Sequence, residues 1–205
     1  MSEWTFTTGV PAAAPAAPPA IPMPTFGATM ERVSNRIFFY SEIARDKVLQ
    51  LNKGLQDASR EIITDKHTRG LTETLGIFLH VQSYGGEVFA GLSAMDEILR
   101  CRVPVTTVVD GCAASAATFL TIAGGHRQIS RNAYMLIHQL SGGAWGNYMQ
   151  LRDAQQNSDA LMAKIRGIYM QYTKLSAKRL DDILKHDLWF DAKTCLKYGL
   201  VDEII

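Results

Sequence analysis

Ser115 lies in a run of small residues that could expose its hydroxyl to a substrate carbonyl. The run extends from Gly111 to Ala117, between a strand-like and a helix-like segment. Acyl transfer needs a hydroxyl nucleophile, an imidazole that takes its proton, a carboxylate that orients the imidazole, and N–H groups that bind the oxyanion. A serine at a helix start lies beside free N–H groups, although it often only caps the helix. Ser115 is therefore a candidate nucleophile.

His138 is the candidate base. It lies at the end of the apolar segment 135–139, and strand ends in open α/β sheets form the edge where active sites lie. A histidine there can also serve only as a structural hydrogen-bonding group. Gly85 and Gly86 follow another buried segment and reach the same edge. Their N–H groups could bind the oxyanion because glycine lets the backbone approach a ligand closely, and a plain glycine turn is the alternative.

Two carboxylates could orient His138, and spacing does not decide between them. Asp110 is nearer to Ser115 along the chain, but it precedes the turn and could simply cap it. Asp187 follows the apolar pair 183–184 and precedes the aromatic pair 189–190. A carboxylate in apolar surroundings tends to be tied to a partner. Both residues stay open as candidates on residue chemistry alone.

From residue 36 onward, strand-like and helix-like segments alternate along the sequence, and these elements must position the candidate residues. Strands are predicted at 36–40, 76–82, 104–109 and 133–139. A first helix is predicted after Ser41, up to a polar loop at 66–71, and a second begins at Val88. Two more are predicted, one from the small residues after Gly111 to Ile122 and one over 147–172. This alternation predicts right-handed βαβ units around a mainly parallel sheet. The apolar stripe of the last helix indicates either core packing or a subunit contact.

Composition indicates one globular domain and argues against several classes of protein. The chain has 205 residues, with 47% hydrophobic residues, 20% charged residues and a net charge of +1. That balance excludes a basic nucleic-acid-binding surface, and no apolar stretch approaches the roughly 20 residues of a membrane span. Three cysteines without paired spacing favour a reducing compartment over a disulfide framework or a zinc site. We expect a cytoplasmic protein that binds no metal or cofactor.

The N-terminal segment differs from the rest in composition. Six of the seven prolines lie between Pro11 and Pro24, among alanines. Such a tract lacks backbone donors and offers no apolar face to bury, so it predicts a flexible or polyproline-like segment. We expect a flexible segment over residues 1–25 and a folded domain over 26–205.

Five segments, in order, resemble the proteolytic subunit of the Clp protease family, ClpP, and the resemblance spans about residues 27–205. They are Ser83-Tyr84-Gly85-Gly86, the nucleophile segment 110–117, Leu136-Ile137-His138-Gln139, the acid segment 187–192, and Tyr198-Gly199-Leu200-Val201-Asp202. The resemblance implies a ClpP/crotonase-like α/β fold of repeated βαβ units with a protruding handle helix, which would be the helix 147–172.

The resemblance also implies the roles of the site residues, and it is the ground for preferring Asp187 over Asp110 as the acid. Ser115, His138 and Asp187 would form the catalytic triad. The backbone N–H groups of Gly85 and Ala116 would bind the oxyanion. Four further residues would lie along the peptide substrate: Gly86, Gln139, Gly142 and Gly143, of which the last two would belong to a strand beside which the substrate lies extended.

The implied activity is that of a serine endopeptidase acting on unfolded polypeptides. Its subunits would form a heptameric ring, usually stacked in pairs as a tetradecamer. A separate AAA+ unfoldase of the ClpX, ClpA or ClpC type would deliver substrates, since this chain has no phosphate-cradling loop.

Several positions depart from the family pattern. Ala116 replaces a usual methionine, Tyr84 and Leu140 replace prolines, and His186 replaces a ring-linking arginine. They motivate a second hypothesis, in which the chain is a regulatory or structural subunit of a mixed ring with other ClpP subunits. A third is an acyl-CoA enzyme of the crotonase type, which shares the fold but needs no Ser–His–Asp set.

Overall fold

The computed structural model describes residues 29–70, 72 and 75–205. The segment 1–25 lies outside this part, so its flexibility and the domain boundary at residue 26 stay predictions. The described strands are β1 (Thr29–Val33), β2 (Arg36–Tyr40), β3 (Ile77–Ser83), β4 (Val105–Ala114), β5 (His126–Ile129), β6 (Tyr134–Leu136), β7 (Trp189–Asp191) and β8 (Glu203–Ile204). The described helices are α1 (Arg45–Arg69), α2 (Val88–Arg100), α3 (Ala117–Ile122), α4 (Tyr148–Tyr172), α5 (Ala177–Ile183) and α6 (Ala192–Tyr198).

The eight strands form one mixed sheet in which parallel pairs dominate. Its main path runs β1-β2-β3-β4-β5-β8, and every pair along it is parallel except the β1–β2 hairpin. β4 is long enough to pair with β5 along its first half and with β6 along its last three residues. β7 then adds antiparallel to β6. The predicted mainly parallel α/β sheet is confirmed, and the ends of β3, β4 and β6 meet at one edge.

The core lies between the sheet and the helices. Leu51 and Leu55 of α1 are fully buried, as are Ile77 and Leu79 of β3. Burying a side chain of this size contributes about 1.5–3 kcal/mol. All six residues of α3 are buried, so the segment that follows Ser115 is held on every side.

The predicted boundaries of α1 are wrong at both ends. Ser41 is buried and does not cap the helix, which begins at Arg45 after Ala44. Most of the predicted loop at 66–71 is the last turn of α1. Gly70 caps the end of this helix with a left-handed backbone (φ 63°). That turn looked like a loop because it is polar. Its basic residues suit the negative end of the helix dipole.

The region around the candidate nucleophile also differs from the prediction. We predicted a strand that ends at Asp110 and a helix through the following small residues, but β4 continues to Ala114. Gly111 adopts φ 70°, and the β3–β4 register shifts between Val81 and Ser83. Small residues have little intrinsic strand preference, so this extension depends on pairing with β6. The predicted strand 133–139 is correspondingly shorter, and His138 follows its end.

The long helix α4 agrees with the prediction. Asn147 and Gln150 form a reciprocal capping box at its start, an arrangement that satisfies two free backbone donors. None of the residues from Tyr148 to Lys164 is buried, whereas Ile165, Ile168 and Tyr169 are. The first half of the helix therefore projects from the domain, and the helix packs on the core from Leu161 onward.

Candidate active site

Ser115 occupies the turn between β4 and α3 with a left-handed backbone, φ 54°. This conformation costs a non-glycine residue about 1–2 kcal/mol, and such strain persists only where the surroundings hold it. Here the Ser115 N–H donates to the carbonyl of Leu136 at 2.9 Å. The Ser115 carbonyl accepts from the Thr118 N–H at 3.0 Å and from the Thr118 hydroxyl at 2.6 Å. The turn is thus fixed from both sides.

Gly85 packs directly against this turn. A Cβ added at Gly85 would lie 2.7 Å from the Ser115 Cβ and 3.2 Å from the Ala116 nitrogen, and the residue has φ 98°. Only glycine permits this approach of the two backbones. The Gly85 N–H donates to the Ser83 hydroxyl at 3.2 Å, while within the described residues the Ala116 N–H has no acceptor. Both predicted oxyanion donors therefore lie beside Ser115.

His138 contacts Asp187. The His138 Nδ1 lies 3.1 Å from Asp187 Oδ1, and the two side chains are 22% and 78% exposed. The N–H of Gln139 donates to the carbonyl of Leu184 at 2.9 Å, which ties the segment after β6 to the end of α5. If Nδ1 carries the proton that faces the carboxylate, Nε2 is the nitrogen that can act as a base.

The other candidate acid, Asp110, is engaged elsewhere. Its carboxylate contacts His80 Nδ1 at 2.7 Å and accepts from the hydroxyls of Tyr40 at 2.8 Å and Ser130 at 3.1 Å. Burial alone would raise the pKa of Asp110, but the hydrogen bonds from His80, Tyr40 and Ser130 together lower it. Burial and the neighbouring Asp110 raise the pKa of Tyr40 to about 12.

Ser115 and His138 line one small cavity of about 50 Å³. Within the described residues, the Ser115 hydroxyl has no hydrogen-bond partner, so its bond to His138 is not made in this conformation. Catalytic hydrogen bonds are often long in unliganded enzymes and tighten with substrate. A larger cleft of about 370 Å³ lies between α1 and α2, but no histidine lines it.

The predicted substrate-binding residues separate into two pairs. Gly86 and Gln139 line the cavity with Ser115. Gly142 and Gly143 are exposed, lie in the irregular segment 137–147 and have open space around them. We expected a strand for the substrate to lie beside, and this segment contains none.

Sequence reasoning missed the apolar wall of the cavity and the polar groups behind it. Besides Leu140, which was already noted as a departure from the family pattern, the wall includes Val88, Phe119, Ile165 and Tyr169. Tyr169 belonged to the apolar stripe of α4, which looks the same whether it faces the core or a pocket. Thr118, one of two buried threonines in the otherwise apolar helix α3, was the available signal.

Similarity to known proteins identifies the family. The model of the Clp protease family matches residues 31–205. The chain belongs to the Clp protease family. An ATP-dependent Clp protease proteolytic subunit from Mesostigma viride is 29% identical over 192 residues, which cover 92% of this chain and 84% of that protein. Its counterpart from Streptococcus mutans is 33% identical over 172 residues, covering 81% and 88%.

The fold agrees with this family. A mutant of ClpP1 from Listeria monocytogenes superimposes with a TM-score of 0.72 at 22% identity, covering 84% of this chain and 91% of that one. The prediction of a Clp protease proteolytic subunit with serine peptidase activity is confirmed, and so is the ClpP-like fold. None of these relatives favours the regulatory subunit. The roles of individual site residues stay predictions.

Neither a candidate metal site nor a membrane-spanning helix occurs in the described part of the chain. There, no group of three or more His, Cys, Asp or Glu residues could hold a metal ion. Over the same residues, none of the helices has the length and apolar character needed to cross a bilayer.

Proposed function

We propose that Ser115, His138 and Asp187 are the catalytic residues of this Clp protease, which hydrolyses peptide bonds in unfolded polypeptides. The observation that carries the proposal is that the strained Ser115 lines a small cavity together with His138, and that the Nδ1 atom of His138 contacts the Asp187 carboxylate. Strained backbone clusters at active sites, and this constellation is the one needed for acyl transfer.

The mechanism follows from these contacts. His138 Nε2 takes the proton of the Ser115 hydroxyl as Ser115 Oγ attacks the peptide carbonyl. Asp187 holds Nδ1 protonated and stabilises the imidazolium, which then protonates the leaving amine. Water, activated by the same imidazole, releases the acyl group from Ser115.

Two N–H groups would bind the negative charge that develops on the carbonyl oxygen. Among the described residues the Ala116 N–H has no acceptor, and the Gly85 N–H has one bond, of 3.2 Å to the Ser83 hydroxyl, which the substrate oxygen would replace. Loss of one such donor typically costs about 3–4 kcal/mol of transition-state stabilisation.

Substrate binding would combine an apolar cavity with an exposed backbone. Gly86 and Gln139 lie at the cavity, whose walls are largely apolar. Gly142 and Gly143 would offer their exposed N–H and C=O groups to the backbone of an extended peptide. Only an unfolded chain can lie extended in this way, which supports unfolded polypeptides as the substrate class.

Membership of the family implies a ring oligomer that works with a Clp ATPase. We propose that the ring is heptameric, that two rings stack as a tetradecamer, and that the partner is an AAA+ unfoldase of the ClpX, ClpA or ClpC type. The unburied part of α4 and the residues just before it support a subunit contact there. Trp145, Tyr148 and Met149 expose 88%, 71% and 56% of their surface, and exposed apolar patches of this kind mark interfaces.

The test compares Ser115→Ala with Ser130→Ala in the assembled protein. Ser130 also has a hydroxyl close to a carboxylate, but it does not line the cavity. We expect Ser115→Ala to lower kcat for a fluorogenic peptide by at least ~10³-fold and Ser130→Ala to leave kcat within about threefold. Size-exclusion chromatography would verify that both variants assemble. Full activity of Ser115→Ala would contradict the proposal.

A further inference from the structure

A chain of buried hydroxyl groups lies directly behind the nucleophile. Tyr169 of α4 is 1% exposed and Thr118 of α3 is fully buried. The Tyr169 hydroxyl lies 2.6 Å from Thr118 Oγ1, and Thr118 Oγ1 lies 2.6 Å from the carbonyl oxygen of Ser115. Three residues from three different parts of the fold are thereby joined in series.

The donors in this chain can be assigned. The Ser115 carbonyl can only accept, so the single hydroxyl proton of Thr118 is donated to it. Thr118 Oγ1 must then accept from Tyr169. Burial raises the pKa of the Tyr169 phenol well above its ordinary value, although the bond to Thr118 opposes that shift. Tyr169 therefore keeps its proton and remains a donor.

The Ser115 carbonyl shares a peptide unit with the predicted oxyanion donor. A peptide group is planar and trans, so its C=O and N–H point in opposite directions. Two hydrogen bonds from Thr118 hold the carbonyl on the buried side. The N–H of Ala116 must then point the other way, and Ala116 lines the cavity with Ser115.

We propose that Tyr169 and Thr118 are positioning residues, which aim the Ala116 N–H at the oxyanion by fixing the Ser115–Ala116 peptide plane. The proposal rests on Ser115 being the nucleophile. Neither hydroxyl touches the substrate. Without them the strained turn at Ser115 can rotate its peptide plane, and the N–H loses its alignment while the cavity keeps its shape.

The experiment removes each hydroxyl without changing side-chain shape. In the assembled protein, Tyr169→Phe and Thr118→Val should lower kcat for a fluorogenic peptide about 10- to 100-fold, since removing an oxyanion donor outright costs about 10²–10³-fold. KM should stay within about threefold. Thr118→Ser, which keeps the hydroxyl, should restore most of the rate. The double variant should lose no more than Thr118→Val alone, because the hydroxyls act in series.

Thr121→Val is the matched control. Thr121 is equally buried on the same helix, and its hydroxyl donates to the carbonyl of Thr118 at 3.0 Å rather than to the Ser115 peptide. We expect its kcat to stay within about threefold of wild type. A peptide boronate, which forms a tetrahedral adduct on the serine, should bind more weakly to Tyr169→Phe by the same factor as kcat/KM falls.

Three results would overturn the inference. They are a Tyr169→Phe variant with wild-type kcat, an equal loss in Thr121→Val, and a failure of Thr118→Ser to restore the rate. The thermal unfolding midpoint of each variant shows whether it is folded at the assay temperature. If Tyr169→Phe is unfolded, the comparison of kcat between Thr118→Val and Thr118→Ser decides whether the hydroxyl of Thr118 positions the peptide. Activity of Ser115→Ala would instead refute the proposed function itself.

Discussion

Two histidine–aspartate pairs in the described part of this protein are built differently. His80 and Asp110 join neighbouring strands, lie 2.7 Å apart and expose 10% and 21% of their side chains. His138 and Asp187 join two irregular segments, lie 3.1 Å apart and are considerably more exposed.

The difference lies in the atoms that stay free. Arg36 Nη1 lies 3.2 Å from His80 Nε2, and since arginine can only donate, Nε2 accepts and Nδ1 donates to Asp110. Both ring nitrogens of His80 are committed, so His80 cannot take a proton from a nucleophile. His138 Nε2, in contrast, has no hydrogen-bond partner within the described residues. A histidine–aspartate pair is thus no sign of catalysis unless its second nitrogen is available beside a nucleophile.

The largest contrast should come from removing each histidine. His138→Ala should lower kcat/KM by at least ~10⁴-fold with little change in stability, because the base is lost. His80→Ala should keep kcat within about threefold. It should destabilise the fold by about 1–3 kcal/mol, because Asp110 and Arg36 lose a buried partner. Peptide hydrolysis and urea unfolding measure the two effects. Loss of kcat in a folded His80→Ala variant would contradict the assignment of a structural role to His80 and a catalytic role to His138.

Replacing each of the two carboxylates should show the same contrast, with a smaller loss of rate than replacing the histidines. Asp187→Asn should lower kcat about 10²–10⁴-fold, because the imidazole loses its orienting charge. Because the Asp187 side chain is exposed in the single chain, water can replace part of that interaction, and the smallest expected loss is therefore only about 10²-fold. Asp110→Asn is the control, and we expect its kcat to change less than threefold. The reverse result would make Asp110 the catalytic acid.

The stability contributed by Asp110 should depend on pH. Because its pKa is lowered in the folded protein, its contribution is present above the ordinary aspartate pKa of about 3.9 and is lost as pH falls through the lowered value. Asp110→Asn should therefore cost about 1–3 kcal/mol at pH 7 and less near pH 3. Urea unfolding at both pH values measures this. A cost that stays constant or rises at low pH would show that the carboxylate is not stabilised by its three donors.

The sequence predicted those features that local pattern determines. The parallel sheet follows from alternating apolar and amphipathic segments, and α4 follows from its apolar stripe at helical spacing. The end of β4 was missed because Cys112, Ala113 and Ala114 carry almost no strand preference and are in the sheet because β6, and β3 at Ala113, pair with them.

The acid could not be chosen from the residues themselves. Which aspartate reaches His138 depends on contacts distant in sequence, above all the pairing of β6 with β7 and the bond from Gln139 to Leu184. Resemblance to a family supplied that choice. Tyr169 was missed because the partner that gives its hydroxyl a role is 51 residues away.

The most direct test of the central claim is labelling of the native, assembled protein with a fluorophosphonate, followed by mass mapping of the adduct. We predict one adduct, on Ser115, that is absent in His138→Ala and present in His80→Ala. An adduct on another residue, or an adduct on Ser115 that persists without His138, would contradict the assignment of this nucleophile and its base.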